Sequence, residues 1–118
     1  MKAKANLGEK LALFSEHFAP RTVAVLNGHD VMVIKAKGEL AWHAHEDTDD
    51  FFLVLRGRLL LRMRGRDDVE LGPGELFVVP RGVEHQPVAE EETHLLLIEP
   101  TGTPNTGDEE TAAPRREV

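Results

Sequence analysis

Residues 38–57, GELAWHAHEDTDDFFLVLRG, concentrate the side chains most capable of chemistry. His43 and His45 stand one residue apart, and Asp50 follows after a short acidic loop. In an extended chain alternate side chains share a face, so both imidazoles point the same way. Two imidazoles and a returning carboxylate can offer three ligands to a divalent metal, leaving a fourth to be found elsewhere. Far downstream, 74–85 reads GELFVVPRGVEH: an apolar run, a turn forced by Pro80 and Gly82, and one more histidine, His85. Competing chemistries are excluded. The chain has no cysteine, which removes thiolate sites, disulfides and cysteine nucleophiles. It also carries no Ser-His-Asp arrangement, phosphate-binding loop, dinucleotide fingerprint or internal repeat.

Elements must position these side chains. Asn6, with Glu9 three residues on, reads as the N-cap of a short helix over 7–18. Leu11, Leu13, Phe14 and Phe18 give it an apolar side, Pro20 ends it, and His17 sits near its C-terminus, where a cation suits the helix dipole. From Thr22 the pattern changes to short apolar runs separated by turn residues, the signature of an all-β fold. Nine strands are predicted, at 22–26, 31–37, 40–45, 50–55, 58–64, 69–71, 76–79, 84–88 and 93–99, with Asn27-Gly28 as a hairpin turn. The 76–79 strand reads as buried. Runs 51–55 and 95–98 are apolar on both faces, which suits two packed sheets or a barrel covered by a partner subunit.

At 118 residues the chain is one domain. The barrel is expected over 1–100, and 101–118, rich in Thr, Gly, Pro, Asp and Glu, as a mobile polar tail. Apolar residues make up 41% and charged residues 30%, as in soluble globular proteins. The net charge of −7 argues against nucleic acid or an anionic membrane as a partner. No apolar run is long enough for a signal peptide or a bilayer span, so a cytoplasmic protein is expected.

The spacing resembles that of the cupin superfamily, small β-barrels built from two conserved blocks. The first block, a glycine, a His-x-His pair, a carboxylate and a second glycine, is matched by Gly38, His43, His45, Asp50 and Gly57, its first gap one residue shorter than usual. The second is matched by Gly74, Pro80, Gly82 and His85, and the 58–73 interval lies near the short end for small single-domain cupins. The motif core is thus 38–89. The resemblance implies an all-β, double-stranded β-helix (a jelly-roll-like cupin barrel) with a short N-terminal helix. It also implies a metal site in which His43, His45 and His85 are ligands, with Asp50 as the fourth.

Two departures bear on that site. The first-block carboxylate is usually Glu, and Asp50 is shorter by roughly 1.5 Å of reach. The second block's Asn is replaced by Ala89. If water fills the gap, Asp50 instead orients the other ligands. The centre then looks like the three-histidine iron sites of thiol dioxygenases in the same superfamily. Glu46 and Asp49 are substitute carboxylates lying off the pattern. One divalent transition metal is implied, Fe, Mn, Ni, Cu or Zn, because imidazole with carboxylate suits each of them. The expected function is a metal-dependent enzyme, of oxygenase or isomerase type, acting on a small molecule in the barrel. The alternative is a non-catalytic small-molecule binding or sensing module. A homodimer is expected, because a partner would cover the apolar outer strands of so small a barrel.

Other residues read as structural. Arg58, Arg62 and Arg64 share a solvated face pairing with Asp67, Asp68 and Glu70, while Leu59, Leu61 and Met63 face inward. Trp42, of opposite parity to His43, is expected between sheets or at a subunit contact, Phe52 and Val54 on the pocket wall, and Arg81 at its rim. His29 and His94 are expected to be exposed.

Overall fold

The computed structural model describes residues 4–108 and 112–118. Among them one short helix, α1 (Leu7–Leu11), precedes eight strands. These are β1 (Arg21–Leu26), β2 (His29–Glu39), β3 (Asp50–Arg56), β4 (Leu59–Met63), β5 (Val69–Leu71), β6 (Leu76–Val79), β7 (His85–Pro100) and β8 (Arg116–Glu117). The long strand β7 is the spine. On one side it pairs antiparallel with β2, from Val88 opposite Glu39 to Pro100 opposite His29. On the other it pairs first with β4 and then with β3. β6 adds to β3, β5 to β4 and β1 to β2.

Alternation along these strands sends one set of side chains into a single core. Met32, Ile34, Phe52, Val54, Leu59, Leu61, Met63, Leu71, Val79, Leu95 and Leu97 pack together, every one of them buried. The expected inward placement of Leu59, Leu61, Met63, Phe52 and Val54 therefore holds. Asn27 and Gly28 both have positive φ (49° and 75°), the backbone of a tight hairpin turn. Gly57 has φ +93°, and a Cβ there would lie 2.5 Å from Thr93 Oγ1, so only glycine lets the β3–β4 turn press against β7.

The structure corrects several expectations. The helix stops at Leu11 instead of running to residue 18. Beyond it the chain docks on β2: Lys35 Nζ donates to Phe14 O at 2.6 Å, and Phe18 N–H donates to Lys35 O at 2.7 Å. So short a helix has little stability of its own to resist those contacts. His17 therefore caps no helix and pairs with Glu92 at 2.9 Å. The segments 84–88 and 93–99 form one strand, because a bulge at Ala36–Gly38 lets β2 follow β7 without a break. Residues 40–45 form no strand; His43 alone makes a bridge. β6 is buried only in part: Val79 joins the core, but Leu76 is 55% and Val78 40% exposed.

Trp42 lies on the outer surface under the guanidinium groups of Arg64 (4.6 Å) and Arg62 (5.7 Å), not between sheets. Of the acidic partners foreseen for the arginine stripe, Glu70 pairs with Arg58, whereas Arg64 pairs with Glu84. The C-terminal residues also differ from a mobile tail. β8 runs parallel to β1, and Arg115 enters the fold to meet Asp30 at 2.9 Å and Glu99 at 2.8 Å. Polar composition predicts mobility only where polar groups find no buried partner, and here they find two carboxylates.

Candidate metal centre

Three elements converge at one end of the core. Residues 40–45 cross there with little regular structure, pinned at single points. His43 N–H donates to His85 O at 3.0 Å, and His85 N–H donates back to His43 O at 2.8 Å. The Pro80–Gly82 turn is tied to the same segment, Gly82 N–H donating to His45 O at 2.8 Å. Asp50 opens β3 opposite Val79. The result is a cluster of His43, His45, Asp50 and His85, all buried, whose ligand atoms lie within 4.8 Å of one another. A shell of ~2.1 Å bonds around one ion is about 4.2 Å across, so little adjustment is needed.

The hydrogen bonds fix which nitrogens face inward. His43 Nδ1 is 2.8 Å from Ala41 O and His85 Nδ1 is 2.9 Å from Val83 O. A carbonyl only accepts, so each Nδ1 carries a proton and each Nε2 faces the cluster, where with a metal bound it would offer its lone pair. Asp50 Oδ2 lies 2.9 Å from His85 Nε2 and 3.2 Å from His45 Nε2. His45 Nε2 is buried and has no hydrogen-bond partner. Lone pairs of nitrogen and carboxylate oxygen repel at such distances unless a proton or a metal ion lies between them, and the His85 Nε2–Asp50 Oδ2 contact has the length of a hydrogen bond. This donor set fits a divalent transition metal.

Electrostatics agree. Burial pushes the His43 imidazole down to about 4, so it is neutral, as a ligand must be. Burial works to raise Asp50, but its close contacts with the His45 and His85 imidazoles outweigh it and hold the carboxyl below its ordinary range. Phe52 forms the expected wall, its ring edge-on to His85 at 6.0 Å between centroids.

Of the substitute carboxylates, Glu46 is exposed and Asp49 accepts Arg81 N–H at 2.9 Å, so neither joins the cluster. That bond holds Arg81 in an exposed turn. His29 is exposed, and His94 is half-buried against Glu92 at 3.1 Å.

Sequence reasoning missed Glu99. It is 2% exposed, and its Oε2 is 3.8 Å from His45 Nε2. Burial first, then the charge and a hydrogen bond of Asp50, push it up to about 9, against the opposing pull of Arg115. One signal was available: Glu99 shares the parity of the core residues Leu95 and Leu97, so it had to point inward. Asn105 and Arg115, which reach the same region from the C-terminal segment, carry no such periodicity.

Comparison with known proteins accords with this geometry. The sequence matches the cupin domain family over residues 30–99. It is 30% identical over 84 residues to the uncharacterized protein YdbB of Bacillus subtilis, covering 71% of this chain and 74% of that one. It is also 30% identical over 76 residues to 3-hydroxyanthranilate 3,4-dioxygenase 2 of Aspergillus fumigatus, covering 60% of this chain but 40% of that enzyme. Among crystal structures, a cupin-2 domain protein from Shewanella frigidimarina aligns with a TM-score of 0.79 at 41% identity, over 81% of this chain and 93% of that one.

Two predictions follow from the cluster. His85→Ala should cut bound metal to about a tenth or less while leaving the β-type circular dichroism intact, and Asp50→Glu should bind metal as tightly or more so. Unchanged metal content in His85→Ala would remove His85 from the site. The second concerns pH. With its folded pKa raised from 4.5 to about 9, Glu99 keeps its proton in the folded state over a range where the unfolded chain has lost it. Its stabilising contribution is complete below the unfolded value and is lost as pH rises through the folded one. The metal-free protein should therefore lose stability between pH 7 and 9, at up to about 1.4 kcal/mol per pH unit. In urea titrations Glu99→Gln should abolish that slope; a slope that survives would assign it to another group.

Proposed function

Because the chain belongs to the cupin domain family, we propose that it is a metal-dependent enzyme of dioxygenase type, in which His43, His45, His85 and Asp50 hold one redox-active divalent ion. The observation that carries this reading is the buried convergence of imidazole nitrogens and a carboxylate oxygen, with His45 Nε2 lacking any partner. The dioxygenase class is supported by the similarity to the Aspergillus enzyme. A ferrous or manganous ion in such a set supplies open positions where dioxygen and an organic ligand can meet.

The chain's own residues do the rest. The Nδ1–H bonds of His43 and His85 lock ring orientation, Asp50 adds the charge that favours a dication, and Phe52, Ile34, Leu95 and Leu97 keep bulk water away. Both oxygen atoms of dioxygen enter the organic product, so no outside reductant is required. The second reading is a non-catalytic binding module using the same cluster, and the small chamber beside it, about 30 Å³, bears on both readings alike.

Elemental analysis of protein purified without chelator or histidine tag, followed by oxygen-uptake assays on small phenols and thiols, separates the two. Near one equivalent of iron or manganese per chain with substrate-dependent oxygen uptake is the expected result. A full metal complement with no uptake across the panel would favour the binding module.

The outer face of the sheet supports a homodimer. Leu76 on β6 stands opposite Leu53 on β3, and Leu53 opposite Leu96 on β7; Val78 stands opposite Phe51. These side chains form apolar rows beside β6, which has no strand on its far side among the described residues. A second copy related by a two-fold axis would cover these rows and pair the open edge. Sedimentation should give a dimer for the natural chain and a monomer for Val78→Lys; a monomeric natural chain would rule this out.

A further inference from the structure

The chamber at the cluster is lined by His43, Asp50 and Glu99 on one side and by Asn105 on another. At about 30 Å³ it has room for one or two water molecules. Among its lining residues Asn105 comes from the C-terminal segment, and three independent contacts fix the described part of that segment. Asn105 is 9% exposed; its Nδ2 donates to Phe18 O at 3.2 Å and its Oδ1 accepts Ala113 N–H at 3.0 Å. Gly107 passes so close to the chain between the two liganding histidines that a Cβ there would lie 2.3 Å from Ala44 O. Arg115 is saturated with acceptors: Glu99, Asp30, Pro100 O and Thr103 O.

Stability alone does not explain this placement. A segment that only anchored the terminus could lie anywhere on the sheet, as β8 does along β1. Asn105 instead completes the wall of the cavity that adjoins His43 and Asp50, and Arg115 holds the one carboxylate next to that cluster. An organic ligand with two donor atoms on a ring is several times larger than the chamber.

We propose that the C-terminal segment is the specificity-determining wall of the metal centre, and that Asn105, in a segment held by Gly107 against Ala44 and by Arg115 on Glu99, limits its ligands to the size of water, azide or dioxygen unless the wall is displaced. The inference rests on the metal-centre reading and goes beyond it, since the same residues decide which substrates meet the ion. An organic substrate reaches the centre only by displacing the wall, whereas dioxygen enters the closed form.

The test uses the full-length protein loaded with Co²⁺, whose visible bands report ligand exchange, and two probes, azide and 4-nitrocatechol. In the natural chain azide should perturb the cobalt bands and 4-nitrocatechol should bind poorly. Asn105→Ala, which opens the wall, and Gly107→Ala, which forces the segment off Ala44, should each bind 4-nitrocatechol about tenfold tighter or more, with azide affinity unchanged. Two variants with different local effects guard against misfolding of either one. Equal 4-nitrocatechol affinity in all three proteins would overturn the wall while leaving the metal centre standing. Failure of the natural chain to take up cobalt would sink the metal centre, and the wall with it.

Discussion

The reciprocal backbone pairing of His43 with His85 is the contact on which the site depends. Two hydrogen bonds, at 3.0 and 2.8 Å, join a nearly structureless crossing to the first residue of the longest strand. Through β7 that link reaches β2, β3 and β4, so the position of both imidazoles is set by the whole sheet. Backbone groups at such a depth must be paired, and this pairing also brings the rings to 4.4 Å between centroids. Placing ligands on backbone ladders makes a site more rigid than loops alone would.

Charge in this region is arranged in layers. Asp50 faces the imidazoles, Glu99 lies behind it, and Arg115 bridges Glu99 to Asp30. Arg115 gives the buried Asp30 a cation and opposes the burial that keeps the Glu99 proton in place. The C-terminal segment thus solves an electrostatic problem that the barrel creates. This explains why a stretch of polar composition is held against the fold, with Asn105 at the chamber and Arg115 among the carboxylates, both from one segment.

The alternation along 58–64 was legible because a strand buries every second side chain, whatever its neighbours, and 51–55 and 95–98 were legible as strands apolar on both faces. So were the turns at Asn27-Gly28 and Gly57, which need backbone angles that other residues resist. The four cluster residues, too, could be picked out from spacing and family resemblance. Helix length was not legible, because Phe14 and Phe18 answer to Lys35 rather than to helical periodicity. Nor was the exposure of Leu76 and Val78, since an apolar residue on an edge strand has the same sequence signature as one in a core.

By itself the sequence determined the fold class, the inward parity of Glu99 and the identity of the clustered side chains, because these follow from local alternation and from residue chemistry. Tertiary structure alone decided that residues 40–45 are held by bridges instead of a strand, and that Glu99 stands beside Asp50. It also decided that Asn105 lines the chamber and that Arg115 holds Glu99 beside it. Those facts rest on pairings between residues far apart in the chain, such as Asp30 with Arg115, 85 positions apart, and Phe18 with Asn105, 87 apart. Their partners are chosen by how the sheet curls, and no periodicity along the chain encodes that choice.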